Sequence, residues 1–124
     1  MNGNKIFLDT NALIAYLQGN QNLFSIFRAA TWVGTSAVCI IEFLSFSKLP
    51  DEDERLFKAF IREMEIISVP NDIQELQLLA DFRKSNQLKL PDAIIAAQAA
   101  ASGATLVSND KHFNNIPGLN LLQF

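Results

Sequence analysis

Short apolar runs alternate along the chain with longer segments of helical periodicity, a pattern that restricts the fold to a parallel sheet covered by helices. The runs are Lys5–Leu8, Thr31–Ser36, Ile66–Val69, Thr105–Val107 and Leu119–Leu122. Between them the spacing of apolar residues predicts helices over Ala12–Leu17, Asn22–Ala30, Ala37–Ser47, Asp51–Met64, Pro70 to about Asn86, and Asp92–Ala101. Ala37–Ser47 is apolar on almost every side, and Ile73, Leu76, Leu79, Ala80 and Phe82 form the expected inner face of the fifth helix. The acids Asp51 to Glu54 suit the positive end of the fourth helix and are expected to face solvent. All four prolines fall at predicted boundaries, and Gly103 stands at a helix C′ position. The expected fold is α/β with about five parallel strands.

A length of 124 residues accommodates one domain, expected over 1–124. With 49% hydrophobic and 19% charged residues, the composition excludes a disordered chain. No apolar run approaches the roughly 18–20 residues that cross a bilayer, and Met1 to Lys5 lack signal-peptide architecture. A single cysteine, Cys39, excludes an internal disulfide and suits a reducing compartment, so the cytoplasm is the expected location. Ten basic and thirteen acidic residues give a net charge of −3. That balance disfavours nucleic-acid binding by Lys and Arg alone, and divalent cations are one other source of positive charge.

Four acids carry the candidate chemistry. Asp9 ends the first strand, and Ser108-Asn109-Asp110 forms the turn after the fourth. In an open parallel sheet, ligands bind beyond the carboxyl ends of the strands, where the strand order reverses. Glu42 is flanked by Ile40, Ile41, Phe43 and Leu44, so its helix offers little polar surface, and Asp92 opens a helix of Ala and Ile. A carboxylate forced toward an apolar interior is costly unless it is paired or binds metal. No Lys or Arg stands three or four residues away inside either helix, because Lys89 precedes Pro91. Each acid also has a plainer reading: Asp9 and Asp110 as caps, Asp92 as a first-turn acid, and Glu42 as an ordinary surface charge. Taken together, the four point to a metal site.

Four segments carry a resemblance to a known family. Phe7-Leu8-Asp9-Thr10-Asn11, Ile41-Glu42-Phe43-Leu44, Leu90-Pro91-Asp92-Ala93-Ile94-Ile95-Ala96 and Leu106-Val107-Ser108-Asn109-Asp110-Lys111-His112-Phe113 resemble, in order and spacing, the motifs of PIN domains. The likeness spans nearly the whole chain and is greatest to VapC-type toxins of toxin–antitoxin pairs. It implies a five-stranded parallel sheet with helices on both faces and an acidic pocket at the strand ends. It also implies that Asp9, Glu42, Asp92 and Asp110 bind Mg²⁺ or Mn²⁺, supported by Asn11 and Ser108, and that Asn109 has no assigned role. The implied activity is hydrolysis of RNA phosphodiesters, with a VapB-type antitoxin as silencing partner.

Oxygen-only donors suit Mg²⁺ and Mn²⁺, with two ions roughly 4 Å apart if both sites fill. Asp9 and Asp110 are expected as direct ligands, with Asp92 sharing and Glu42 acting through water. The lone His112 and lone Cys39 cannot build a structural zinc site, and Cys39 is expected as a buried apolar residue. A general acid or base role for His112 is weighed and set aside, since the metal site needs no imidazole. Lys48, Arg83, Lys84, Lys89 and Lys111 are candidate phosphate contacts. Phe24, Phe27, Phe57 and Phe60 exceed what one small core holds and are expected at a partner surface, for the antitoxin or for a second copy in a homodimer. Alternatives are a PIN nuclease of RNA processing without an antitoxin, a non-catalytic metal- or RNA-binding module, and a small-molecule phosphatase. The phosphatase reading is disfavoured because Asn11 stands where a second acid is needed.

Overall fold

Every apolar run becomes a strand in the computed structural model, which describes residues 4–124. The elements run β1 (Lys5–Leu8), α1 (Thr10–Leu17), α2 (Gln21–Ala29), β2 (Trp32–Ser36), α3 (Ala37–Leu44), α4 (Asp51–Ile61), β3 (Glu65–Ile67), α5 (Ile73–Asn86), α6 (Leu90–Ala101), β4 (Thr105–Val107), a 3₁₀ turn at Lys111–Phe113, and β5 (Asn120–Leu122). The strands form one parallel sheet in the order β3-β2-β1-β4-β5. Right-handed crossovers that step first one way and then the other from β1 put helices on opposite faces. β1 shows the consequence: Ile6, Phe7 and Leu8 are all buried, as in a strand covered on both sides. The order reverses between β1 and β4, so a crevice opens beyond their carboxyl ends.

Caps explain most differences from the predicted boundaries. Asp9 caps α1 and starts it two residues before the predicted Ala12, and Asn20 caps α2 through the Leu23 N–H at 3.0 Å. α5 begins at Ile73 rather than Pro70, because Asp72 accepts the Glu75 N–H at 3.2 Å, in an Asp-x-x-Glu box. α6 begins at Leu90, before the predicted Asp92, with Pro91 in its first turn. α3 stops at Leu44, three residues short of the predicted Ser47, and α4 stops at Ile61, short of Met64.

The ring of β1, α3, α6 and β4 holds the core, with Phe7, Leu13, Ile95, Leu106 and Phe113 essentially inaccessible. α6 packs against β2 and β4 and buries Ala93, Ile94, Ile95, Ala96, Gln98 and Ala99, of which the three alanines allow close approach. α5 corrects the predicted inner face: none of its residues is buried, and Ile73 is 75% exposed. It packs mainly on α6, with Leu79 and Phe82 partly buried and Ile73, Leu76 and Leu78 left at the surface.

The phenylalanines depart from expectation too. Phe57 is fully buried and stacks on Phe43 at 3.8 Å. Phe24, Phe27 and Phe60 gather round Tyr16, with centroids 4.2–5.0 Å from its ring. These rings join α1, α2 and α4 to one another, so part of their surface is spent on packing within the chain.

Gly34 in β2 is set by a close approach. The Trp32 indole folds across it, and a Cβ there would lie 2.2 Å from the ring. The indole N–H donates to Glu65 Oε2 at 2.9 Å, and the Lys5 ammonium stands 5.0 Å from the ring centroid. Gly34→Ala must displace the indole from both contacts, so it should destabilise the chain by roughly 1–3 kcal/mol in urea unfolding. Most of that loss should vanish in a Trp32→Leu background; an equal loss in both backgrounds would place the cause in the backbone.

Candidate active site

Asp9 leaves β1 into the crevice and is fixed by both carboxylate oxygens. Oδ1 accepts the Thr10 backbone N–H at 2.8 Å, and Oδ2 accepts the Ser108 hydroxyl at 2.7 Å. The Asn11 amide reaches Oδ2 at 3.5 Å and Ser108 Oγ at 3.3 Å, while the Cys39 thiol lies 3.8 Å from Oδ1. The Asp9 backbone N–H donates to the Val107 carbonyl at 3.2 Å, tying the end of β1 to the end of β4.

The loop after β4 is stitched to the same point. Ser108, fully buried, also accepts the Asp110 N–H at 3.0 Å, and Asn11 Oδ1 accepts the Asn109 N–H at 3.3 Å. Asp110 then caps the 3₁₀ turn through the His112 N–H at 2.9 Å. Capping and site membership, which compete in a sequence, coincide here for Asp9 and Asp110. Asn109, given no role from sequence, exchanges two hydrogen bonds with the Phe124 backbone at 2.8 and 2.9 Å and so anchors the chain after β5.

Glu42 reaches the crevice from α3, where the Thr10 hydroxyl donates to its Oε1 at 2.8 Å. The expectation that an apolar helix buries this acid is wrong. Glu42 is exposed, and so is its neighbour Ile41, at 64%, because no element covers the outer side of α3. Asp92 enters from the first turn of α6 and is half-buried. His112, on the 3₁₀ turn, brings Nδ1 to 3.0 Å from Asp110 Oδ1 and 3.7 Å from Asp92 Oδ2.

The four acids repel one another. Burial pushes the Asp9 carboxyl above its ordinary value, the Ser108 and Thr10 hydrogen bonds oppose the shift, and Glu42 and Asp110 reinforce it. Asp92 is also raised, first by burial and then by Asp110 and Glu42, with His112 and Lys89 pulling the other way. The Cys39 thiol, enclosed beside Asp9, is pushed up to about 12 and stays protonated. Among the described residues, the Lys and Arg ion pairs are Arg55–Glu52 and Lys58–Glu54, both far from the crevice in sequence and on the surface. None of the four acids has such a partner. Lys89 and Lys111 flank Asp92 and Asp110, whereas Lys48 lies after α3 and Arg83 and Lys84 in the last turn of α5, all exposed.

Two sets of donor atoms lie close enough to share an ion: Asp9, Cys39 and Glu42, and Asp92, Asp110 and His112, each set within 4.8 Å. The carboxylate oxygens suit a hard divalent cation, and an uncompensated acidic cluster is where such an ion gains most. The protonated thiol does not suit it, so Cys39 belongs with the groups that hold Asp9. Sequence reasoning missed Thr10, which bridges Asp9 and Glu42, and it discounted His112. No periodicity marks either residue; only adjacency to Asp9 and Asp110 hints at them.

By fold and site, the chain is a doubly wound α/β protein with an acidic crevice at its switch point. Residues 6–119 match the PIN domain family model, and the chain belongs to that family. Solved structures similar to it include VapBC2 from Rickettsia felis bound to a promoter DNA fragment, at 22% identity and a TM-score of 0.79 over 97% of this chain and 98% of that one. A toxin–antitoxin complex from Klebsiella pneumoniae is similar at 27% identity, with a TM-score of 0.78 over 94% and 95%. FitAcB from Neisseria gonorrhoeae shares the fold at 19% identity, with a TM-score of 0.72 over 94% and 96%. No curated protein matches the sequence.

The raised Asp92 carboxyl makes folding costlier when it is ionised, and Asp92→Asn removes that cost. In metal-free buffer at pH 7 the variant should melt about 2–5 °C above the wild type. The gap should close on acidification through the raised native value toward the ordinary carboxylate range, where the wild-type group is protonated in both states. A calorimetric gap that widens in acid would contradict this electrostatic account.

Proposed function

We propose that this chain is a divalent-cation-dependent endoribonuclease acting as the toxin of a VapBC-type toxin–antitoxin pair, in the cytoplasm. The observation that carries the reading is the convergence of Asp9, Glu42, Asp92 and Asp110 at the switch point without a Lys or Arg partner. Membership of the PIN domain family, and similarity to a Klebsiella pneumoniae protein described as part of a toxin–antitoxin complex, support it. Among the described residues no helix is long and apolar enough to cross a membrane.

Mg²⁺ or Mn²⁺ bound by the acids would supply Lewis acidity at the scissile phosphate. The chain's own groups do the rest. Ser108, Thr10 and Asn11 hold Asp9 in one orientation, so its free lone pairs face the crevice. Asp110 and Asp92 face it from the other side, and Glu42, exposed and steadied by Thr10, is placed to orient an attacking water. Lys89 and Lys111, beside Asp92 and Asp110, are the cations we assign to flanking phosphates. Lys48, Arg83 and Lys84 lie farther along the surface, where they serve a longer RNA.

The antitoxin surface we assign is a groove of about 320 Å³ lined by Ile14, Leu17, Phe43, Phe46, Leu49 and Leu56, with Gln18 and Asp53 as its polar members. Phe46 and Leu56 are exposed there, at 48% and 44%, and the groove's apolar lining suits the apolar face of a partner helix. A second apolar stretch, Ile66 in the edge strand β3, Val69 after it, and Ile73 and Leu78 on α5, is assigned to a homodimer contact.

Asp9→Asn should lower RNA cleavage by more than the roughly 10–100-fold typical of outer-shell metal substitutions, with the fold retained. EDTA should abolish the wild-type activity, and Mg²⁺ or Mn²⁺ should restore it. Cleavage that survives exhaustive chelation ends the metal reading. In a bacterial host, induction should arrest growth only when Asp9 is intact. Leu56→Asp should leave cleavage unaltered and weaken rescue by a co-expressed antitoxin; full rescue would move that surface elsewhere.

A further inference from the structure

We propose that His112 is a ligand of the catalytic cation, joining Asp92 and Asp110 through Nδ1, and that its nitrogen tilts the site from Mg²⁺ toward Mn²⁺. The inference rests on the divalent-cation reading of the acidic crevice. Ligands about 2.1 Å from an octahedral ion stand about 3.0 Å apart when adjacent and about 4.2 Å apart when opposite. Nδ1 lies 3.0 Å from Asp110 Oδ1 and 3.7 Å from Asp92 Oδ2, and the three donor atoms fall within 4.8 Å of one another. The first separation matches adjacent ligands, and the second lies between the adjacent and opposite values.

Local structure holds the imidazole there. Asp110 accepts the His112 backbone N–H, which fixes the 3₁₀ turn, and that turn packs on α6, the helix that carries Asp92. Phe113, the next residue, is buried and pins the turn from below. The imidazole itself is 66% exposed, and its recorded contacts are with the two acids. It can therefore swing the small distance that ligation requires without breaking other contacts. Imidazole is a poor donor for Mg²⁺ and a good one for transition-metal ions, whereas carboxylates accept both. Four carboxylates joined by one imidazole therefore discriminate where the four carboxylates alone would not.

The test uses the untagged full chain, in which His112 is the sole histidine, so any histidine nitrogen signal belongs to it. Mn²⁺ is titrated and its binding followed by electron paramagnetic resonance, with pulsed measurements on protein labelled with ¹⁵N-histidine. The expected result is nitrogen coupling to bound Mn²⁺ that changes with the isotope and is absent in His112→Ala. The same substitution should weaken Mn²⁺ about 10-fold or more, and Mg²⁺, read by competition, less than about 3-fold. Bound Mn²⁺ without histidine coupling overturns the inference and leaves the acidic site standing. Tighter binding of both ions by His112→Ala also overturns it, since the imidazole would then be occupying the ions' place. Failure of the wild-type chain to bind Mn²⁺ at all overturns the underlying metal reading together with the inference.

Discussion

The site depends on the way Asp9 is fixed. A carboxylate at the end of a buried strand is expensive, and here it is tolerated because donors occupy both oxygens. Ser108 is the pivot: its hydroxyl donates to Asp9 and accepts from the backbone of Asp110, so one buried group sets two acids from different strands. Asn11 adds a second stitch between the same loops. The register of β1 with β4 places Leu8 opposite Val107, and the two acidic turns emerge side by side.

Around that fixed charge the chain tolerates electrostatic conflict. Asp9 and Asp92 are both raised, by burial first and further by neighbouring acids, and neither has a Lys or Arg ion-pair partner. Stability is given up locally to keep negative charge concentrated, a trade common at functional sites. The surrounding core can carry it. Phe7, Ile95, Leu106 and Phe113 are buried almost completely, and Ala93, Ala96 and Ala99 on the buried face of α6 let that helix lie close.

The same economy explains the exposed apolar surface. The rings that a sequence pattern offers as surplus are consumed by stacking between α1, α2 and α4. What remains exposed includes Ile41 and Leu44 on the uncovered side of α3, Phe46 after it, Leu56 on α4, and Ile73 and Leu78 on α5. Helical spacing shows that a residue belongs to an apolar stripe. It does not show whether another element covers that stripe.

Sequence alone determined the five strands and the parallel α/β class, because apolar runs and helical periodicity alternate along the chain, and it offered four acids as candidates for one site. Its reason for choosing Glu42 does not hold, since the acid is exposed and is held by the Thr10 hydroxyl rather than by burial. Only the tertiary structure decided that Asp9 and Asp110 cap and cluster at once, that Cys39 supports Asp9, and that His112 stands against two acids. The division has a physical cause. Periodicity and turn chemistry are local and written in neighbouring residues, whereas contacts between residues a hundred positions apart arise only when the order of strands brings their ends together.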